Sequence, residues 1–433
     1  MKKFYYDIVV IGGGPAGMAA ALAARKGGAT KILICERGGR LGGILEQCIH
    51  NGFGLSYFKE ELTGPEYAQR FINQVLVSEI DVKTDTMVID LADRGLVVAT
   101  NSYDGLFTVE AKAVILAMGC RERTREALSI PGDRPSGVMT AGTAQRYINM
   151  EGYLPGNEIV ILGSGDIGLI MARRLTLEGA NVRCVLEVMP YSTGLIRNKV
   201  QCLDDFNIPL YLNHTVTHIH GRKRVRGISV IEVAGPQRKP IFGTEKYIPC
   251  DTLLLSVGLI PENELSKKAG VLLDPVTKGA IVDEKRMTSL EWIFSCGNVL
   301  HVHDLVDNVS QEAETAGRSA AEYIAGKYAT RSVPIKLTPG ENIGYIVPQL
   351  ICSDEATCKT IDLYIRVKNP DEDVDIVARG ENGKILVQSY KDIVEPGSVL
   401  SLSIPNQPSC SRQPRTVTIL SRRRESKTCK RKE

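Results

Sequence analysis

One pattern occurs twice in this chain of 433 residues, and it constrains the fold more than any other feature. Tyr6-Asp7-Ile8-Val9-Val10-Ile11 reads as a buried strand and Gly12-Gly13-Gly14-Pro15 as a tight turn. Residues 16–26 follow as a small-residue helix, and residues 31–36 as a second strand. The order returns at Glu158-Ile159-Val160-Ile161-Leu162, with a turn at Gly163-Ser164-Gly165, a helix through Arg174 and a strand over 182–187. Each set is a βαβ unit, and parallel strands need such a crossover. Two further apolar runs, 113–119 and 251–258, each end in a small residue and Gly and read as the returning strand of each unit. Beyond Tyr328 the pattern changes to short alternating runs at 360–367, 374–378, 384–390 and 399–404, separated by turns such as Gly380-Glu381-Asn382-Gly383. These predict a small all-β domain.

The expected class is therefore α/β: two Rossmann-like dinucleotide-binding domains plus a small C-terminal all-β domain. Expected boundaries are 1–120 with 275–330 for the first domain, 121–274 for the second, 331–420 for the β domain, and 421–433 for a basic, disordered tail. That tail carries seven Lys/Arg against two Asp/Glu and accounts for the net charge of +3; the remainder has 46 basic and 48 acidic residues. A nearly neutral body gives no support to nucleic-acid binding. No run reaches the ~18 apolar residues of a membrane helix. The N-terminal run is broken by Gly12-Gly13-Gly14-Pro15 and reads as a first strand rather than a leader. Eleven cysteines without a Cys-x-x-Cys pair read as reduced thiols of a cytoplasmic protein.

Both turns match Gly-x-Gly-x-x-Gly between a strand and a helix. The glycines provide a tight turn, close approach of backbone to a pyrophosphate, and close helix–strand packing. The helix N-terminus adds unpaired N–H groups for the diphosphate. Glu36 lies nineteen positions after Gly17, and Glu187 nineteen after Gly168, each where a carboxylate can accept ribose hydroxyls. Glu187 would repel a 2′-phosphate, so NAD(H) is favoured over NADP(H), although Arg183 and Arg197 lie nearby in sequence.

With these motifs the chain resembles the two-dinucleotide-binding-domain flavoproteins of the pyridine nucleotide–disulfide oxidoreductase superfamily, over residues 5–325. The resemblance implies FAD on the first loop and a hydride exchanged between nicotinamide and flavin stacked face to face. In the family a late Gly-Asp precedes a helix that faces the flavin. Here Trp292-Ile293-Phe294-Ser295-Cys296-Gly297-Asn298 has Asn298 in place of Asp, and Val309-Ser310-Gln311-Glu312-Ala313 is expected to open the helix. Carried onto matching positions, the resemblance places Gly12, Gly14, Pro15, Ala16, Gly17, Glu36 and Arg37 at FAD. Gly42, Gly43, Val82, Ala117, Gly119, Gly297, Asn298, Gln311, Glu312 and Ala313 complete that set. It places Gly163, Gly165, Asp166, Ile167, Gly168, Glu187, Val257 and Gly258 at NAD.

Disulfide reduction is not expected. Glutathione-reductase-like members carry Cys-x4-Cys, but here Cys48 is followed at that spacing by Phe53. Thioredoxin-reductase-like members carry Cys-x-x-Cys before the second loop, where this chain has Gly137-Val138-Met139-Thr140-Ala141-Gly142-Thr143-Ala144. Cys48 beside His50 is a candidate single redox thiol, as in a cysteine-based NADH oxidase or peroxidase, or else a small packing residue; Cys120 is a weaker candidate. His301 and His303 lie near the flavin or in a plain loop. His214, His218 and His220 would share one face of a strand, and no metal site is expected. Cys352, Cys358, Cys410 and Cys429 match no iron–sulfur spacing.

The runs Gly119-Cys120-Arg121-Glu122-Arg123-Thr124, Thr140-Ala141-Gly142-Thr143-Ala144-Gln145 and Leu259-Ile260-Pro261-Glu262-Asn263-Glu264-Leu265 resemble a narrower group. These are alpha subunits of opine, proline and cyanide-forming amine dehydrogenases, and proteins accompanying anaerobic glycerol-3-phosphate or 2-hydroxyacid dehydrogenases. That resemblance implies a partner flavoprotein dehydrogenase subunit and a homo- or hetero-oligomer. The β domain departs from the iron–sulfur segment such subunits often carry. A non-catalytic assembly scaffold is the alternative from another class.

Overall fold

The computed structural model describes residues 1–92, 95–327, 334–352, 360–405 and 415–424. The chain divides into two compact units. The first comprises Met1–Glu46, His50–Gly119 and Pro261–Glu433, and the second Gln47–Ile49 and Cys120–Ile260.

In the first unit a seven-stranded sheet is built around Lys2–Ile11. That strand pairs in parallel with Ile32–Cys35 on one side and Gly105–Leu116 on the other. Asp81–Lys83 extends one edge in parallel, and Ile293–Ser295 pairs with Gly105–Leu116. The hairpin Met87–Ala92/Leu96–Asn101 completes the sheet antiparallel. The central strands are buried on both faces, which is why they read as unbroken Val/Ile/Leu runs. On one face the helices Pro15–Lys26 and Val306–Ile324 meet through alanines and glycines; a Cβ on Gly317 would stand 2.1 Å from the Ala20 carbonyl oxygen.

The C-terminal strands belong to this first unit and form two sheets. One runs Leu350–Ile351, Ile335–Pro339, Thr416–Arg423, Asp371–Gly380, Ile385–Val394, and the other Ile343–Val347, Thr360–Val367, Leu400–Pro405. Their inward Ile, Leu and Val residues make one core. The expected disordered tail, 421–433, is ordered at its start. Its first residues continue the strand Thr416–Arg423 because Arg423 and Arg424 find Asp371 and Asp375, both at 2.6–2.9 Å. Residues 425–433 lie outside the described residues.

The second unit has a five-stranded parallel sheet ordered Val138–Thr140, Thr252–Leu255, Glu158–Leu162, Asn181–Glu187, Leu210–Leu212. An antiparallel meander, His214–His220, Gly227–Ala234 and Lys246–Pro249, accompanies it. This unit closes at Ile260, earlier than the expected 274. The segment after it is pinned into the first unit: Asn263 donates to Val299 O at 2.7 Å and Lys278 O at 3.0 Å, and Glu262 N donates to Gly119 O.

The Ala20–Gly317 approach leaves no room for a side chain. Gly317→Leu is expected to destabilise the first unit by about 1–3 kcal/mol, read as a lowered unfolding midpoint. An unchanged midpoint would mean that the two helices do not meet there.

Candidate functional site

The two Gly-rich loops repeat each other atom for atom in their supporting contacts. Gly12 N donates to Cys35 O (2.8 Å) and Gly163 N to Leu186 O (2.7 Å), so each turn leaves its strand in the same way. Both glycines have positive φ, +109° and +101°. A Cβ would meet the returning strand, at Ala117 O (2.3 Å) in one loop and Ser256 O (2.0 Å) in the other. Gly17 and Gly168 face the carbonyls of Gly12 and Gly163, where a Cβ would fall at 1.8 and 2.7 Å. Both helices, Pro15–Lys26 and Asp166–Leu177, start from a glycine without a side-chain cap; apart from Pro15, which has no N–H, and Gly168 N, which Ser256 Oγ takes, their first-turn N–H groups suit an outside acceptor.

The acids repeat too. Glu36 accepts from Gly13 N and Gly38 N, both at 2.6 Å. Glu187 accepts from Ser164 N and Met189 N, both at 2.9 Å. In each case the carboxylate holds the middle of its own loop and the residue two positions on. The difference is that Glu187 is buried and also receives Ser164 Oγ (2.6 Å) and Thr193 Oγ1 (3.2 Å). Ser164, Thr193 and Ser256, whose Oγ accepts Gly168 N at 3.0 Å, escaped the sequence reading. Only the hydroxyl in the variable position of Gly-x-Gly could have signalled them. Asp166, at the helix start, is turned to Leu195 N (2.8 Å) and Asn198 Nδ2 (2.6 Å). Ile167 is half-buried beside it, and Val257 and Gly258 follow Ser256, with Gly258 O accepting Arg123 N.

Around the first loop the structure gathers most of the expected residues. Gly42 N donates to Gly13 O, and a Cβ on Gly43 would lie 3.0 Å from Gly14 Cα. A Cβ on Gly297 would lie 2.8 Å from that of Ala16. Ala117 N is bonded to Ile11 O, and Gly119 follows with φ +70°. Val82 lies half-buried on the edge strand, and Arg37 is exposed. The cradle, the uncapped helix and the strand-end acid fit a dinucleotide in each unit. FAD, when bound, supplies a two-electron acceptor; Gly12–Gly17, Glu36 and Gly297 are the residues that would hold it.

The late segment departs from expectation. Its helix opens at Val306, before the expected Val309, because Asp307 in the first turn is buried and accepts Gly54 N (3.0 Å), Ser56 N (2.7 Å) and Tyr57 N (3.1 Å). Gln311, Glu312 and Ala313 thus lie in the second turn, with Gln311 exposed and the other two buried. Asn298 Oδ1 accepts His303 N at 3.1 Å, so this oxygen braces its own turn. Glu312, buried, accepts Gly297 N (2.9 Å), Arg286 Nε (3.1 Å), His301 Nε2 (3.3 Å) and His303 Nε2 (3.0 Å). Burial alone would raise its carboxyl, but its partners, with both imidazole N–H groups hydrogen-bonded to it, outweigh that and hold it well below the usual range. Burial, helped by His303, pushes His301 down to about 4, leaving a neutral ring. His301, His303 and Glu312 offer one donor atom each within 4.8 Å of one another, a set that a metal can use. The Arg286 guanidinium on the same carboxylate already supplies the counter-charge, and a divalent cation would add repulsion there.

Cys48 lies with Gln47 and Ile49 in the second unit. Gln47 Nε2 donates to Gln145 Oε1 (3.0 Å) and Gly142 O (2.9 Å), and Asn149 Nδ2 donates to Gln47 O. Cys48 Sγ stands 3.9 Å from Gln145 Oε1. Burial pushes its thiol up to about 12, the reverse of the activation expected from His50, whose ring packs on Phe53 at 5.0 Å. Buried Ala141 and Ala144 occupy the stretch where thioredoxin-reductase-like members carry thiols. The histidines at 214, 218 and 220 do not share a face in the expected way. A register shift between Val216 and His218 separates His214 from the pair His218–His220, whose rings lie 4.6 Å apart. Cys358, Cys410 and Cys429 lie outside the described residues.

A family profile described as pyridine nucleotide-disulphide oxidoreductase matches residues 6–320, and the chain belongs to that family. The family is one of FAD-dependent NAD(P)H oxidoreductases. The chain is 29% identical to an opine oxidase subunit of Agrobacterium tumefaciens over 73% of its length, and spans 65% of that relative. It is 27% identical to thioredoxin reductase of Mycolicibacterium smegmatis, covering 72% of this chain and 93% of that one. Among solved structures it is similar to T. acidophilum thioredoxin reductase, with TM-score 0.60, 25% identity, and coverage of 74% and 98%. Among the described residues no helix is long and apolar enough to cross a membrane.

With burial raising its thiol, Cys48 should be almost wholly protonated at pH 8. Its alkylation, followed by peptide mass spectrometry, is expected to climb about tenfold per pH unit up to pH 10. A plateau below pH 8 would show an activated cysteine instead.

Proposed function

We propose that this chain transfers hydride between NAD(H) and FAD, as an electron-transfer subunit working with a partner flavoprotein dehydrogenase. The observation that carries the reading is the doubled loop-and-acid device: two uncapped helix starts, each beside a carboxylate fixed on its own glycine loop. The chain's task in such a transfer is to bind and orient both nucleotides; no side-chain acid or base is needed. Similarity to a protein named as one subunit of an opine oxidase supports the partnered arrangement; in this reading the substrate, of the glycerol-3-phosphate, 2-hydroxyacid or amino-acid class, belongs to the partner.

NAD over NADP is supported by Glu187, whose charge opposes a 2′-phosphate. Arg183 does not counter it. It pairs with Glu158 at the opposite end of the strand from the loop, about 13 Å away at the rise of a strand. Dithiol reduction is disfavoured by Phe53 in the second cysteine position and by the protonated thiol of Cys48. The same thiol disfavours the single-cysteine oxidase.

The test is anaerobic addition of NADH to FAD-loaded protein. Bleaching of the flavin band is expected, with NADPH at least about tenfold less efficient. Failure to bleach would reject the nicotinamide assignment, and equal use of NADPH would reject the role of Glu187. Cys48→Ser protein that no longer turns over NADH would return the oxidase reading.

A further inference from the structure

The C-terminal β domain reaches the segment that follows the Gly297–Asn298 turn. Glu312 is filled by four donors from three segments: Gly297 N–H in the turn beside Ala16, the Arg286 guanidinium, and the imidazoles of His301 and His303. The two imidazoles are themselves held by the β domain. The Tyr364 ring lies 5.4 Å from His301 and 5.2 Å from His303, with the Arg286 guanidinium 5.8 Å from its centre.

Arg366, on the same strand as Tyr364, grips the segment that carries the histidines. It donates to Asp304 Oδ1 (2.6 Å) and Val302 O (3.3 Å), and on its own domain to Pro396 O (2.5 Å). Val399 N donates to the other oxygen of Asp304 at 2.6 Å. Residues 301–304, just beyond the Gly297–Asn298 turn, are thus clamped from the β domain, and His303 N in turn braces Asn298. A buried carboxylate with four donors has one stable arrangement, since removing any donor leaves a charged lone pair uncompensated.

We propose that Glu312 is a positioning residue that sets the Gly297–Asn298 turn for FAD, and that the β domain, through Tyr364 and Arg366, completes it. FAD retention then depends on a domain that supplies none of the nucleotide-binding loops. The proposal rests on the reading of the first loop as an FAD site.

The experiment uses the full chain and compares wild type with Glu312→Gln, which keeps shape and loses charge, and with Arg366→Met and Asp304→Asn, which open the clamp from either side. FAD affinity is measured by flavin fluorescence, and the melting temperature is taken with and without FAD. The expected result is FAD binding weakened by roughly tenfold or more in each variant. The rise in melting temperature on adding FAD shrinks, while the apoprotein melts within a few degrees of wild-type apoprotein. A lower apoprotein melting temperature with an undiminished FAD increment would overturn the proposal in favour of a merely structural cluster. Wild-type FAD affinity in all three variants would overturn it as well. Stoichiometric metal in purified wild type, lost in Glu312→Gln, would overturn it in favour of a metal centre. Wild type that binds no FAD at all would reject the functional reading itself, which separates that failure from the others.

Discussion

A strand-end carboxylate bonded back to the middle of the preceding glycine loop is the contact on which this structure turns. Glu36 holds Gly13, and Glu187 holds Ser164. Each bond ties the end of the second strand to the exit of the first, fixing where the helix begins and therefore where its unpaired N–H groups point. The glycines make that geometry possible by letting the loop approach the returning strand without a Cβ in the way. The acid makes it single-valued. Without the carboxylate the turn would keep its path but lose the charge-assisted bonds that hold it still.

The doubled device was open to view in the sequence because it is local. Strand, glycine spacing and acid all fall within about thirty residues, and buried parallel strands announce themselves as apolar runs. The strand over Thr360–Val367 was likewise legible from alternation alone. Long-range contacts were hidden. Nothing in Asp307 says that it gathers the N–H groups of Gly54, Ser56 and Tyr57 some 250 positions away, and that capture moves the helix start three residues earlier than the expected Val309. The state of the Cys48 thiol is likewise not written in its spacing to His50. Sequence proximity placed them together, whereas burial and the ring of Phe53 decide the chemistry.

The histidines show how a shared residue type can mean different things. His214, His218 and His220 were drawn together by spacing, and one irregularity in strand register parts them. His301 and His303 carry no distinctive spacing, yet their Nε2 atoms flank one buried carboxylate with an arginine as counter-ion. The charge balance at that cluster gives it a different character from a metal centre with the same donor types. It also joins the β strands to the flavoprotein fold by more than apolar contact, since Arg366 and Asp304 make a largely buried ion pair.

The hydroxyls of Ser164 and Thr193 on Glu187 have no counterpart at Glu36, where glycine occupies the equivalent loop position. An acid with four donors in a buried setting is already in its final rotamer before any nucleotide arrives. One with two donors and open flanks still has order to gain. Ordering a site on arrival is tolerable for a molecule that binds once and stays, but it is a recurring cost for one that enters and leaves at every turnover. The serine and threonine thus suit the second loop to a travelling nucleotide, and the bare glycine suits the first to a resident one, in keeping with the proposed function.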